Sequence, residues 1–221
     1  DSTEHDLRDL EERLGALRSD LAEAAEGLTA ARADAAARLA EEVMDILPDL
    51  GMPGGVFEVA LVALPDVGPH GAESVEFRVA VNPGFDPRPL ARVASGGELS
   101  RIMLALKSIL ARVDRVPTLV FDEIDAGIGG VVATAVADKL AHVAELHQVF
   151  VITHLPQLAS RADHQFLVEK ADEGGMDSTR IRELTGEERI LEVARMLGGD
   201  PHSRTSRQHA RELLGEASDS G

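Results

Sequence analysis

The chain has 221 residues, no cysteine, and a formal charge of −17 from 22 Lys+Arg against 39 Asp+Glu. That length supports one substantial core with an appended element. The charge repels DNA and anionic lipid unless a local basic patch overrides it, and the missing cysteines exclude disulfides and thiolate metal sites. No apolar run reaches the roughly 18 residues of a membrane span, and the charged start, with Asp1 in place of Met, is unlike a signal peptide. The expectation is a cytoplasmic protein without membrane contact, read as a piece of a longer chain.

In the first forty residues, Leu7, Leu10, Leu14, Leu17, Leu21, Ala24, Leu28, Ala31 and Ala35 alternate spacings of three and four between charged residues. This is the seam of a coiled coil, with an amphipathic helix lying on the domain as the alternative. The narrow seam, turning from leucine to alanine, favours a close helical partner that the rest of this chain does not supply. Pro48 and Gly51-Met52-Pro53-Gly54-Gly55 end the helix, so residues 1–47 are read as a coiled-coil arm and 48–221 as a separate lobe.

Val56–Leu64 and Ser74–Val81 have strand character and predict an antiparallel pair, with loops at 65–71 and 82–89. Ala94-Ser95-Gly96-Gly97-Glu98-Leu99-Ser100-Arg101 then opens a helix carrying Ile102, Met103, Leu106, Ile109 and Leu110. Ser95 and Glu98 have the form of a capping box. Two glycines in a first helical turn are unnecessary for capping, and they let another backbone or a phosphate approach the free amides.

Val116–Phe121 is an apolar run ending in Asp122, Glu123 and Asp125. It reads as a parallel strand buried on both faces, which puts the acids at the sheet's carboxyl edge, where open α/β sheets hold ligands. Adjacent carboxylates there point to a cation, a metal or a water. Gly127-Ile128-Gly129-Gly130 leads into a helix with Val132, Val136, Leu140 and Val143, followed by a second buried strand at 148–153 that ends in His154-Leu155-Pro156-Gln157. Neighbouring parallel strands share an edge, so His154 is expected near Asp122 and Glu123.

Two edge strands, Gln165–Lys170 and Ser178–Glu183, flank a turn at 172–177. His142, His147, His202 and His209 lack a supporting carboxylate pattern and read as solvated histidines. Arg204, Arg207 and Arg211 read as helix-surface charge, with a small basic patch as the alternative.

In combination these motifs resemble the ABC-type ATPases. Ser95-Gly96-Gly97-Glu98 is similar to their signature motif and Leu119-Val120-Phe121-Asp122-Glu123 to their Walker B strand; Asp125 takes the D-loop position and His154 that of the switch histidine. The spacings agree, 27 positions from Ser95 to Asp122 and 31 from Glu123 to His154. A coiled-coil arm in front narrows the resemblance to SMC-like repair ATPases. The stretches 122–130, 153–157 and 186–199 are similar to the RecN family of bacterial DNA repair proteins, whereas chromosome-condensing SMC proteins usually continue the D-loop toward Leu-Asp. One departure is decisive: no Gly-x-x-x-x-Gly-Lys-Ser/Thr loop occurs in the chain.

The resemblance therefore implies an α/β fold, the carboxyl-terminal lobe of an ABC/P-loop ATPase head with buried parallel strands flanked by helices, plus the coiled-coil arm. It implies ATP and Mg²⁺ as ligands, a nucleoid-associated place in the cytoplasm, and inactivity of this lobe alone. The implied partners are an amino-terminal head lobe with the Walker A loop, a second copy of the head, an antiparallel coiled-coil partner helix, and DNA in the full-length protein. It assigns Asp122 to the Mg²⁺ shell, Glu123 to the attacking water and His154 to the γ-phosphate. Ser95, Gly96, Gly97 and Glu98 are assigned to a nucleotide held by the opposite subunit, and Asp125 to the subunit boundary. Two alternatives stand beside this reading: another SMC or Rad-type head, or a non-catalytic coiled-coil scaffold.

Overall fold

The computed structural model describes residues 2–92, 95–172 and 177–215. They fall into two units, one of residues 2–48 and 52–92, the other of residues 49–51, 95–172 and 177–215. Among the described residues no helix is long and apolar enough to cross a membrane.

The first unit is built on α1 (Ser2–Ile46), a helix of 45 residues that runs about 68 Å at 1.5 Å per residue. Its leucine seam is bare: Leu7, Leu10, Leu14, Leu17, Leu21 and Leu28 are 38–62 % exposed. A second stripe, Ala25, Thr29, Arg32, Ala36, Leu39 and Val43, is buried or half-buried. Over residues 24–36 it follows the seam one position later, about 100° round the helix. That stripe packs on the antiparallel hairpin of β1 (Val56–Gly68) and β2 (Gly71–Ala80). Seam and surface helix, alternatives in the sequence, are thus adjacent faces of one element.

Arg32 Nη2 donates to the His70 carbonyl at 2.7 Å and Nη1 lies 3.4 Å from Glu73 Oε2, while the Thr29 hydroxyl donates to the same carboxylate. The hairpin strands run further than the sequence indicates, because pairing resumes at Gly68 and Gly71 across the expected loop. The short β3 (Arg88–Pro89) adds to β2.

In the second unit α2 (Gly96–Leu110) leads to β4 (Thr118–Phe121), α3 (Gly130–Ala144) and β5 (Gln148–Val151), and β4 and β5 pair in parallel. The core takes Ile102, Leu104, Leu106, Phe121, Ile124, Ala133, Val136, Leu140 and Val143. Among the described residues only one face of the parallel pair is covered. Leu119 and Phe121 are buried, whereas Val120, Phe150 and Ile152 are 66, 47 and 60 % exposed. The expectation of burial on both faces is corrected to this extent: among the described residues the second face has no covering layer.

Beyond α4 (Pro156–Arg161), β6 (Gln165–Asp172) and β7 (Asp177–Leu184) form an antiparallel pair. The core of the turn expected between them, residues 173–176, lies outside the described residues. The helices α5 (Gly186–Met196) and α6 (Arg204–Leu213) pack through Ile190, Val193, Ala194 and Ala210. Arg207 and Arg211 both pair with Glu187 of α5, at 2.9 and 3.1 Å, which supports helix-surface charge over a basic patch. His147 departs from the solvated reading: it is buried, with Nδ1 2.8 Å from the Val116 carbonyl.

Candidate functional site

The chemistry-bearing residues gather where the start of α2 meets the turn after β4. Ser95 caps α2 in extended backbone and accepts the Glu98 amide at 3.4 Å, which satisfies one of the free amides of the first turn. The two glycines behind it stand close against what lies opposite. A β-carbon on Gly96 would collide with Oε2 of Glu123, and one on Gly97 would stand 2.8 Å from the Glu123 carbonyl oxygen and 2.9 Å from Ala126 Cβ. The sequence suggested a backbone or a phosphate as the neighbour, and the neighbour within this chain is the acidic turn.

That turn is conformationally unusual. Glu123 has φ +56°, the one positive φ of a non-glycine residue among those described, a region that costs an L-residue roughly 1–2 kcal/mol. Such outliers cluster at functional sites, where the surroundings over-determine them. Here the Glu123 amide donates to Asp122 Oδ1 at 2.9 Å, and its carbonyl accepts from Ala126 N at 2.9 Å. The side chains of Asp122 and Glu123 are exposed at the strand's end.

Asp125 is turned inward, its side chain 6 % exposed. Its Oδ2 accepts from the Thr153 hydroxyl at 2.5 Å and the His154 amide at 2.9 Å, and His154 Nδ1 lies 3.0 Å away. The carboxylate thereby fixes the end of β5, while the imidazole is 75 % exposed and presents its far edge to solvent. Beside it, Ala126 and Gly127 are exposed.

Arg101 received no role in the sequence reading. It is 5 % exposed and Nη1 donates to the carbonyls of Ile124 at 3.3 Å and Ala126 at 3.0 Å. Burial draws its guanidinium below the usual arginine range, opposed by the charge of Glu98. Ser100, its neighbour, donates through Oγ to the Asp122 carbonyl at 2.8 Å. The available signal was a cation on the apolar face of α2, one helical turn after Gly97.

Asp122 suits a hard cation as a single oxygen ligand, since only Oδ1 is engaged. No group of three or more His, Cys, Asp or Glu able to hold a metal occurs among the described residues. A single exposed carboxylate such as Asp122 fits Mg²⁺, which keeps waters and substrate phosphates around one or two carboxylates.

No family model matches the chain. It is 45 % identical over 211 residues to the DNA repair protein RecN of Streptomyces coelicolor, covering 90 % of this chain and 37 % of that protein. It is 44 % identical to the RecN of Deinococcus radiodurans, covering 96 % and 37 %. The chain thus spans a little over a third of the curated relatives it matches. Its fold is similar to the Smc head domain with a coiled coil and joint from Pyrococcus yayanosii, with a TM-score of 0.53 at 22 % identity over 86 % of this chain and 36 % of that one. A Pyrococcus furiosus Smc head domain with an extended coiled coil gives the same score at 20 % identity, over 86 % of this chain and 45 % of that one. With sequence similarity along nine-tenths of its length and an SMC-head fold, the chain belongs to the RecN family of DNA repair proteins.

Proposed function

We propose that this chain is the carboxyl-terminal lobe of an ATP-hydrolysing head in a DNA repair protein. The observation that carries the reading is the fit of the Gly96-Gly97 helix start against Glu123, a carboxylate held in strained backbone at the end of a parallel strand. In this reading the lobe lacks a phosphate-cradling loop and is completed by an amino-terminal lobe that brings one. The exposed row Val120, Phe150 and Ile152 supports a missing layer on the sheet. The bare leucine seam of α1 supports an antiparallel helix partner for the arm.

The head works as a pair of copies. The amides at the start of α2, with the partial positive charge of the helix end, receive the γ-phosphate of a nucleotide bound by the opposite copy. Glu123 orients the attacking water and accepts its proton. Asp125 holds the end of β5 so that the exposed His154 ring reaches the γ-phosphate of the nucleotide bound in its own head. Asp122 would hold Mg²⁺, which when bound neutralises charge on the phosphates. ATP shared between two heads favours the closed pair, hydrolysis removes the bridging phosphate, and the arms carry the change to DNA held elsewhere in the full-length protein.

The test is ATP turnover by the full-length protein with and without Glu123→Gln. Loss of the general base lowers turnover by about 100-fold or more, while ATP-dependent head pairs persist. Unchanged turnover removes Glu123 from the role. A protein that binds ATP and pairs but never hydrolyses it would make the head a scaffold.

A further inference from the structure

Consecutive residues of α2 hold alternate carbonyls of the acidic turn. Ser100 Oγ takes that of Asp122, and Arg101 Nη1 takes those of Ile124 and Ala126, which bracket Asp125. The same Nη1 would stand 3.2 Å from a β-carbon at Gly97, so the guanidinium lies between the helix start and the turn. It is buried and its Nε has no partner, and the charge of Glu98 on the same helix offsets that burial only in part. A buried cation so weakly compensated is costly to keep. An apolar side chain would fill the space at less cost, so packing alone does not account for an arginine here.

The geometry points to Arg101 as a positioning residue for hydrolysis, locking the glycine end of α2 to the turn that aims Glu123, Asp125 and, through Asp125, His154. This inference rests on the function proposed above and extends it. If the start of α2 receives a phosphate in one composite site while Glu123 of the same copy serves the other, Arg101 links the two. A phosphate that seats on Gly96 and Gly97 then fixes the attitude of Glu123. The carbonyls held at 122, 124 and 126 set the directions of the side chains at 123 and 125, because alternate peptide planes are pinned.

The experiment compares the full-length protein with Arg101→Met, Arg101→Lys and, as a control for lost packing in the same helix, Leu104→Ala, whose side chain is fully buried. Misplacement of the acids lowers kcat of Arg101→Met by about 100-fold. ATP binding, read in a Glu123→Gln background, stays within about threefold, a shift of well under 1 kcal/mol. Arg101→Lys restores part of kcat, and Leu104→Ala lowers the melting temperature while keeping kcat in the folded range. Amide hydrogen exchange rises at residues 123–126 in Arg101→Met and not in Leu104→Ala. If Arg101→Met does not fold, Ser100→Ala takes its place, with a smaller loss in the same parameter and the same local rise in exchange. A folded Arg101→Met with unchanged kcat and unchanged exchange in the turn overturns the inference, as does a kcat loss matched by Leu104→Ala. Should the wild type itself not hydrolyse ATP, the proposed function falls, and the exchange pattern alone decides whether Arg101 holds the turn.

Discussion

Gly96 faces the carboxylate of Glu123 so closely that a β-carbon at 96 would collide with Glu123 Oε2. At Gly97 the obstacle is backbone, the Glu123 carbonyl at 2.8 Å, together with Ala126 Cβ. The two glycines therefore fail differently when substituted. In Gly96→Ala the tip of a flexible exposed side chain moves aside, so urea unfolding of the chain changes little, while turnover of the full-length protein falls about 100-fold as Glu123 leaves its place. In Gly97→Ala the turn itself must move, and overpacking lowers stability by about 1–3 kcal/mol. Paired urea titrations and turnover measurements check both.

Asp125 serves as an internal acceptor, joining the acidic turn to the end of β5 through Thr153 and His154. Asp125→Ala strands a hydroxyl and an amide that have no other acceptor among the described residues, at a cost of about 1–3 kcal/mol. Asp125→Asn retains one carbonyl oxygen and falls between wild type and alanine. Chemical denaturation of the three proteins gives this order, and equal stabilities would show that water takes over the acceptor's place.

Much of this site was legible in the sequence, since the serine cap, the glycine pair, the acid cluster and the strand-end histidine are each local patterns with a physical meaning. The close approach of Gly96 to Glu123 was not, because it joins residues 27 apart and depends on how α2 meets β4. The inward turn of Asp125 was hidden for a related reason: a carboxylate beside two others reads as exposed until its acceptor role for the next strand is seen. Arg101 was missed because a lone arginine in an amphipathic helix ordinarily lies on the wet face. The length of α1 was plain, but its leucine seam masked the second stripe that clamps it to the hairpin, since Thr29 and Arg32 are polar and contribute nothing to a hydrophobic count.

The exit of α2 carries a charge pair with a predictable pH response. Asp114 accepts from Lys107 and from the Val116 amide, and the Lys107 hydrogen bond is the larger cause that holds its carboxyl below the usual aspartate range. A carboxyl depressed in the folded state contributes stability above its unfolded value near 3.8 and loses it as pH falls through the folded value. Wild type should therefore melt above Asp114→Asn at pH 7, and the gap should close as the pH is lowered below 3.8 toward 2. A gap independent of pH would assign the difference to packing.

The exposed row on the parallel sheet yields the sharpest separation between the lobe as it stands and the lobe in its full protein. Val120 sits opposite Phe150 in the β4–β5 register, with Ile152 continuing the same edge. Both Val120 and Ile152 are more than half exposed. A lysine at Val120 keeps its charge in water, so Val120→Lys should alter the chain's own stability by no more than about 0.5 kcal/mol. If an amino-terminal lobe covers this face, the same charge becomes buried without a partner there, and association with the separately expressed remainder should weaken by at least about tenfold, or 1.4 kcal/mol. Binding titrations of the two pieces, with the urea midpoint of the chain measured beside them, separate these effects. Unchanged association would mean that the missing layer lies elsewhere and that this face stays open to solvent in the whole protein.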